Sequence, residues 1–520
     1  MQKEFFYGQD ILSVELAIAL AKKTIGGRLS EETKQKVQQS SRYVQHMVDN
    51  GKTVYGITTG FGILANTKIS EEDAATLQYK ILQSHSVGVG NPVPEEIARL
   101  MLITKLHSLA QGYSGIQLAT LERILWHLEV DAIPVVPEKG SVGASGDLAP
   151  LAHLFLPLIG LGEVFYKGKR QTTASLFQQT GTKPVSLGPK EGLALINGTQ
   201  FILALAIKAV ERMHYCLEAA DIIGAMSLEA LTGTKAPFDE RLHRLRPFTG
   251  ARLVAQRLCH LLENSEIMQS HMDCGRVQDP YSLRCMPQVH GASRNAWLHL
   301  KELTTIEAGA VTDNPIVFGE DDTISGGNFH GQPLALPLDY ACFAASEVGN
   351  ISDRRCYLLL EGKWGLPLLL MKRVGLNSGF MIPQYTTAAL VSENKTLCFP
   401  SSADSIPTSL GQEDHVSMGS ISGRKLLQVL DNLESILAIE LLCACQAIEF
   451  RRPLKSSAIL EEAHHFVRRY VGFAEEDRVF ADDIGRIKNH LQDYSFVRHV
   501  QQFAVNKNIP LNKDFDAFSL

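Results

Sequence analysis

The stretch from Gly140 to Pro150, GSVGASGDLAP, crowds small residues around Ser145. Small side chains permit tight turning of the backbone. If the chain bends so that the amide nitrogen of Gly146 meets the carbonyl carbon of Ala144, a five-membered ring can close with loss of water, and the serine then loses a second water. The product is an alkene conjugated to an imidazolone, an electrophile that no standard side chain supplies. By itself, an Ala-Ser-Gly tripeptide indicates only a turn of small residues.

Other blocks of the sequence agree with the electrophile. Together with the first they resemble, in the same order, the histidine/phenylalanine/tyrosine ammonia-lyase family, whose prosthetic group is this 4-methylidene-imidazol-5-one (MIO). The resemblance runs from about Tyr55 to about Arg452. The blocks are VYGITTGFG at 54–62, GASGDLAP at 143–150, GLALINGTQ at 192–200, QDPYSLR at 278–284, TDNP at 312–315, GGNFH at 326–330 and QEDHVSM at 412–418. The resemblance implies a carbon-nitrogen lyase whose MIO forms from Ala144, Ser145 and Gly146.

The resemblance also implies roles for side chains outside the ring. Tyr55 is expected to be the base that takes the β-proton of the substrate, which requires a phenol pKa brought down from about 10 toward neutrality. Arg284 is expected to hold the substrate carboxylate, because a planar guanidinium can donate two parallel hydrogen bonds to it. Asn197 and Tyr281 are expected to be partners of the ring and of the carboxylate, with Gln278 adjoining them.

Substrate choice is expected to depend on His85 and Glu413, with Phe329 packed along the substrate ring. An imidazole carries one donor and one acceptor, so a site that binds it needs a carboxylate for a ring N–H and a second polar group for the other nitrogen. Histidine lyases resemble this chain in having Glu at the second position, where phenylalanine and tyrosine lyases commonly have Gln. The expected reaction is therefore the non-oxidative conversion of L-histidine to trans-urocanate and ammonia, the first step of histidine degradation.

The chain departs from the family pattern beside these residues. Thr58 stands where the family commonly has Asn, and Gly411 stands where Asn often precedes Gln-Glu-Asp-His. The pair Ser86-Val87 replaces a small-residue pair common in histidine lyases. These departures affect the expected shape of the pocket and not the expected type of reaction.

Three alternatives remain open at the level of sequence. A tyrosine or phenylalanine ammonia-lyase, or an aminomutase, would share the family's blocks. A hydrolase would use Ser145, or one of the S-x-x-K serines Ser392 and Ser422, as a nucleophile, but the G-x-S-x-G spacing is missing and S-x-x-K alone is a weak motif. A non-catalytic helical scaffold would keep the serine unmodified. No metal, nucleotide or pyridoxal phosphate is predicted.

The elements that must position these residues are mainly helical. Helix signals run from Ser30 to Asn50, from the capping box at Ser70 to about Ser84, and from Pro94 to near Gly112. A strand is indicated at 163–166 before a turn at Lys167-Gly168. From 425 to 450, leucines recur at spacings of three and four, which is typical of a helix buried in a bundle. The sequence thus predicts an N-terminal mixed region over 1–200 that carries the MIO loop, followed by a long helical bundle over 201–520.

Composition limits the kinds of partner. The 520 residues have a formal net charge of −6 and 45% hydrophobic residues, with no dense basic run to attract nucleic acid. The most apolar stretches are shorter than a bilayer span, and no secretory signal is evident, so a cytoplasmic protein is expected. The nine cysteines, Cys443 and Cys445 the closest pair, indicate buried reduced thiols. The expected partners are an amino acid substrate and, by the resemblance, copies of the same chain in a homotetramer.

Overall fold

The computed structural model describes residues 4–52, 54, 56, 59, 71–272 and 275–520, with residues 71 and 72 described in their backbone only. The described chain is mainly helical with a few short strands, which confirms the predicted fold class. Its residues group into two compact units. Unit 1 consists of Met1–Lys208, Leu300–Asp339 and Pro400–Arg424, and unit 2 consists of Ala209–His299, Tyr340–Phe399 and Lys425–Leu520. A domain boundary near residue 200 stays a prediction.

The helices of the first 200 residues range from six to 19 residues in length, and three of them begin at a side-chain cap in the described part of the chain. Ser30 accepts a hydrogen bond from the amide of Thr33 at 3.0 Å and so begins the second helix, as predicted. The same kind of cap, from Ser13 and Thr172, begins two others. These helices are α1 (Val14–Ala21), α2 (Glu31–Asp49), α3 (Glu71–His85), α4 (Glu95–Ala110), α5 (Leu118–Val130), α6 (Leu148–Phe155), α7 (Thr173–Thr180) and α8 (Glu191–Ile196).

The later helices are α9 (Gln200–Ala230), α10 (Glu240–Leu245), α11 (Thr249–Leu261), α12 (Glu266–Gln269), α13 (Tyr281–Arg284), α14 (Met286–Ala308), α15 (Gln332–Leu360), α16 (Met381–Leu397), α17 (Gly419–Glu449), α18 (Ala458–Arg468), α19 (Phe480–Gln492) and α20 (Ser495–Asn506). Four of these helices, α9, α14, α15 and α17, have more than 20 residues. In α17 the leucines predicted to be buried, at 426, 430, 433, 437 and 441, are all 0% exposed. Cys443 and Cys445 are buried free thiols on the same helix, as expected.

Helix α17 begins six residues earlier than the leucine pattern indicates, at Gly419 instead of Lys425. The additional turns contain two glycines, which disfavour a helix on their own. Tertiary packing explains the extension. A Cβ on Gly423 would lie 2.9 Å from Cβ of Leu205, so the glycine lets this end of α17 approach α9 closely.

The strands are short and form small sheets. Strand β1 (Phe5–Phe6) pairs in parallel with β2 (Gly27–Arg28), and β3 (Val89–Pro92) pairs antiparallel with β5 (Pro137–Lys139). Strand β6 (Glu163–Tyr166) lies between β4 (Ile133–Pro134) and β7 (Lys169–Thr172), with Tyr166 opposite Lys169. Strands β8 (Ile316–Val317) and β9 (Thr323–Ile324) form a hairpin. The predicted strand at 163–166 and the turn at Lys167-Gly168 are confirmed.

In the part of the chain that the structure describes, no helix is long and apolar enough to cross a membrane.

Candidate active site

The backbone at Ser145 and Gly146 lies directly against the segment at Gly198. Gly198 N–H donates to the Ser145 carbonyl oxygen at 3.4 Å, and Asp147 N–H donates to the Gly198 carbonyl oxygen at 2.7 Å. Gly146 has a φ of +76°, and a Cβ built on it would lie 2.0 Å from the Gly198 oxygen. No side chain larger than hydrogen fits there, so this close approach requires glycine.

The other side of the loop packs on the segment that leads into α17. A Cβ on Gly143, whose φ is +70°, would lie 2.1 Å from Oγ of Ser417. The amide of Met418 donates to the Val142 carbonyl oxygen at 3.0 Å, and Ser420 Oγ donates to the Ser141 carbonyl oxygen at 2.8 Å. The candidate precursor of MIO is therefore held between two chain segments, both of which contain resemblance blocks.

Asp147 anchors the end of the loop to the first turn of α9. Its Oδ2 accepts hydrogen bonds from the amides of Phe201 at 3.1 Å and Ile202 at 2.9 Å, and its Oδ1 accepts one from Ser141 Oγ at 2.7 Å. Burial raises the pKa of Asp147 to about 6, against the lowering effect of these hydrogen bonds. Asp147 was not predicted to have a role, although an acidic residue directly after a small-residue loop is a signal for such an anchor.

Ser145 and Glu413 are in direct contact. Ser145 Oγ donates to Oε1 of Glu413 at 2.8 Å. The other carboxylate oxygen, Oε2, accepts hydrogen bonds from Thr408 Oγ1 at 2.8 Å and from Ser409 Oγ at 3.2 Å. The serine hydroxyl thus meets a carboxylate and not the imidazole that a serine hydrolase of the usual kind requires. Thr408 and Ser409 were missed in the sequence because no family block covers them.

His85 ends α3 and shares a pocket with Glu413. The pocket has a volume of about 250 Å³, and Ala144 and Gly146 also line it. Ser84 Oγ lies 2.9 Å from Nδ1 of His85. Burial lowers the pKa of His85, and the carboxylate of Glu413 opposes this effect only in part. A neutral imidazole therefore stands near the carboxylate at neutral pH, with one donor and one acceptor.

A second, larger pocket is lined by Ser145. It has a volume of about 630 Å³ and is lined by Phe329 and Glu413, together with the histidines His330 and His415. The two imidazole rings stack with centroids 5.5 Å apart. Glu413 and Ala144 line both pockets, so a small molecule in either pocket would lie close to Glu413.

Asn197 follows α8 and is 3% exposed. Its side-chain Oδ1 is buried and accepts no hydrogen bond from the residues that the structure describes. Its backbone carbonyl accepts a hydrogen bond from Nζ of Lys105 at 2.5 Å. Burial lowers the pKa of Lys105 to about 7. Asn197 was predicted to be a site residue, but Lys105 was not, because it lies inside α4 and outside every family block.

Gln278, Tyr281 and Arg284 form a cluster of their own in unit 2. Nη2 of Arg284 donates to Oε1 of Gln278 at 3.1 Å, and its guanidinium lies 4.6 Å from the centroid of the Tyr281 ring. Nε of Arg284 is buried and donates to none of the described residues. Tyr281 is 70% exposed. The arginine thus keeps unused donors of the kind that a carboxylate accepts.

Tyr55, the expected base, lies outside the described residues, and so does Thr58. Of the surrounding block, Gly56 is described, and its amide donates to Thr59 Oγ1 at 3.1 Å.

Comparisons with known proteins agree over most of the chain. A family model for aromatic amino acid lyases matches residues 12–469. The histidine ammonia-lyase of Desulfotalea psychrophila is 47% identical over 479 residues, which cover 92% of this chain and 94% of that protein.

Two solved structures are also similar. The histidine ammonia-lyase from Trypanosoma cruzi has a TM-score of 0.89 at 39% identity and covers 100% of this chain and 98% of that chain. A tyrosine aminomutase from Streptomyces globisporus has a TM-score of 0.91 at 33% identity and covers 96% of this chain and 99% of that chain. Because the backbone fits proteins named for two different amino acids equally well, substrate choice must be argued from the side chains at Ser145.

Proposed function

The chain belongs to the aromatic amino acid lyase family, and we propose that it removes ammonia from L-histidine and releases trans-urocanate, the first step of histidine degradation. The observation that carries the choice of histidine is the carboxylate of Glu413, which touches Ser145 and lines one pocket with His85. The overall sequence similarity to a histidine ammonia-lyase supports the same choice.

Glu413 and His85 together suit an imidazole ring and not a phenyl ring. A ring N–H of the substrate donates to Glu413, and the other ring nitrogen meets neutral His85, which can donate or accept. Phenylalanine could bond neither group, at a cost of about 1 to 3 kcal/mol for each polar atom that the bound ring would cover without a partner. Phe329, in the larger pocket, supplies an apolar face along the substrate ring.

The residues around Ser145 fit the formation of MIO. The glycine at 146 leaves its amide nitrogen unhindered, and the loop is held tightly on both sides. The side-chain amide of Asn197 has N–H groups that can donate to a ring oxygen, while its buried Oδ1, which accepts from none of the described residues, can accept from the substrate amine. Once formed, MIO supplies an electrophilic alkene that takes up the substrate amine and turns it into a leaving group.

The remaining roles concern binding, orientation and proton transfer. Arg284 binds the substrate carboxylate, which fixes the α-carbon, and Tyr281 and Gln278 hold the arginine from two sides. Tyr55 takes the β-proton, a role that rests on the resemblance of the block at 54–62. The resemblance also supports a homotetramer.

The test combines intact mass with product analysis. The purified protein is incubated separately with L-histidine, L-tyrosine and L-phenylalanine, while the absorbance of the conjugated acid and the release of ammonia are followed. We expect a mass that lacks two water molecules, urocanate and ammonia in equal amounts from histidine, and neither product from Ser145→Ala. Light scattering on the same sample measures the size of the assembly.

Three outcomes would contradict the proposal. An unmodified mass would exclude MIO. A β-amino acid formed without ammonia would indicate an aminomutase. Preference for tyrosine or phenylalanine would exclude the assigned role of Glu413.

A further inference from the structure

Lys105 has a buried amino group, and its hydrogen bond goes to the backbone of the site. It is 1% exposed, on α4, and Nζ donates to the carbonyl oxygen of Asn197. Burying an ammonium group is costly unless strong partners compensate. The nearby carboxylate of Asp313 attracts Lys105. This carboxylate, however, is already paired with Nζ of Lys190 at 2.5 Å. The position of Lys105 is therefore better explained by what it does to Asn197.

The Asn197 carbonyl and the Gly198 N–H belong to the same peptide group. This N–H donates to the carbonyl oxygen of Ser145 at 3.4 Å, while the next carbonyl, of Gly198, accepts from Asp147 N–H at 2.7 Å. Lys105 is thus the first member of a hydrogen-bonded chain that passes through one peptide and ends on Ser145. Hydrogen bonds in such a chain polarise one another, and a charged first donor increases the effect.

We propose that Lys105 is a positioning residue for the self-processing of Ala144, Ser145 and Gly146: it holds the peptide between Asn197 and Gly198 against Ser145 and polarises that peptide toward the Ser145 carbonyl oxygen. The inference rests on the proposed function, because only a chain that forms MIO carries out this reaction.

The reaction balances without an oxidant or a reductant. A bond forms between the Gly146 nitrogen and the Ala144 carbonyl carbon. The Ala144 oxygen leaves as the first water with the amide protons of Gly146 and Ser145. Ser145 then loses its Cα proton and its hydroxyl as the second water. When the Cα proton departs, negative charge develops on the Ser145 carbonyl oxygen, where the polarised N–H of Gly198 stabilises it.

The experiment follows intact mass and near-ultraviolet absorbance over time after cell-free synthesis of the full chain. We expect Lys105→Met to lose the two waters about tenfold more slowly than wild type, because a weakened donor at a developing oxyanion slows a reaction by this order or more. Lys105→Arg keeps a cation and is expected to process faster than Lys105→Met. The matched control is Arg99→Met, which removes another largely buried cation of α4, one that pairs with Asp131, and is expected to process at the wild-type rate.

The outcomes separate this inference from the proposed function. If wild type never loses water, the proposed function fails. If wild type is processed and Lys105→Met keeps pace with it, only the inference is overturned. Equal rates for folded Lys105→Met and Lys105→Arg, or a control as slow as Lys105→Met, would also overturn it, because the effect would then come from packing. Should Lys105→Met not fold, Lys105→Gln replaces it in the same comparison.

Discussion

Glu413 is held by hydroxyl groups and by no cation among the described residues. Thr408 and Ser409 occupy Oε2, and Ser145 occupies Oε1. Loss of the Ser145 hydroxyl during processing would leave Oε1 open toward both pockets. A carboxylate that is fixed on one side and open on the other is well suited to accept a substrate N–H.

We predict that Glu413→Gln lowers kcat/KM for histidine by about 10- to 100-fold, because a hydrogen bond to a charged acceptor contributes about 1.5 to 3 kcal/mol. The amide keeps the shape and the bonds from Thr408 and Ser409. Steady-state kinetics with histidine and phenylalanine measure the change in preference. The matched control is Glu320→Gln, at an exposed glutamate of unit 1 that lines neither pocket, which is expected to change kcat/KM little. Equal losses in the two variants would refute the assignment.

The sequence predicted the residues that line this site better than the residues that hold them in place. Ser145 and Glu413 lie in family blocks and are in direct contact, and His85, which lies outside the blocks, lines one pocket with Glu413 in unit 1. Lys105 could not be predicted, since a lysine inside a helix is usually solvated, and its burial depends on packing far along the chain. Gly411, a departure from the pattern, has a φ of +92°, which glycine adopts freely.

At the scale of elements, the site depends on chain segments whose backbones approach too closely to leave room for a side chain between them. Gly146 and Gly198 form a parallel bridge between the loop and the start of α9. A Cβ on Gly198, whose φ is +132°, would lie 2.5 Å from Oε1 of Gln200 and 2.6 Å from Oγ1 of Thr312. Both the dihedral angle and the lack of space therefore require glycine at 198.

We predict that Gly198→Ala impairs processing, so that a large share of the purified protein keeps one or both waters. The methyl group would push the segment away from Ser145 and weaken the hydrogen bond from its N–H. Intact mass measures the unprocessed share. Gly168→Ala is the control, because Gly168 also has a positive φ, +71°, but no atom within 4 Å of the added Cβ. Full processing of Gly198→Ala would show that the close approach is dispensable.

Helix ends were predictable where local chemistry sets them. Ser30 caps α2 through its own side chain, and that helix ends within one residue of the predicted end. The start of α17 was not predictable, because the glycines at 419 and 423 favour a loop in the sequence and become helical through contact with α9. Local signals gave the positions of helices, and tertiary packing decided their length.

At the scale of the whole molecule, the sequence predicted the fold class but not the grouping of the chain. Each compact unit is made of three separate segments, whereas a boundary read from composition is a single position. The buried charges of unit 2 were also beyond sequence analysis. Arg257 bonds Glu218 and Asp221 at 3.0 Å each, and all three side chains are 0% exposed. Sequence patterns treat such residues as solvated.

Glu229 makes the stability of the fold depend on pH. It is buried in unit 2, where Ser456 Oγ donates to its Oε2. Burial raises its pKa from 4.5 to about 8, and the negative charge of Glu461 adds to this effect. Because the folded pKa lies above the unfolded one, the folded state binds the proton more tightly. The stabilisation is complete below the unfolded pKa and is lost as the pH rises toward the folded pKa.

We therefore predict that between about pH 5 and pH 8 the free energy of unfolding of wild type falls by roughly 3 kcal/mol more than that of Glu229→Gln, since one pKa unit corresponds to about 1.4 kcal/mol. Glutamine keeps an acceptor for Ser456 and cannot ionise. Urea unfolding at the two pH values measures the difference. Glu475→Gln, at a side chain that is 68% exposed, should follow wild type. Parallel pH dependence of wild type and Glu229→Gln would mean that Glu229 ionises in the folded protein as easily as in water, with its charge compensated by the nearby Arg452.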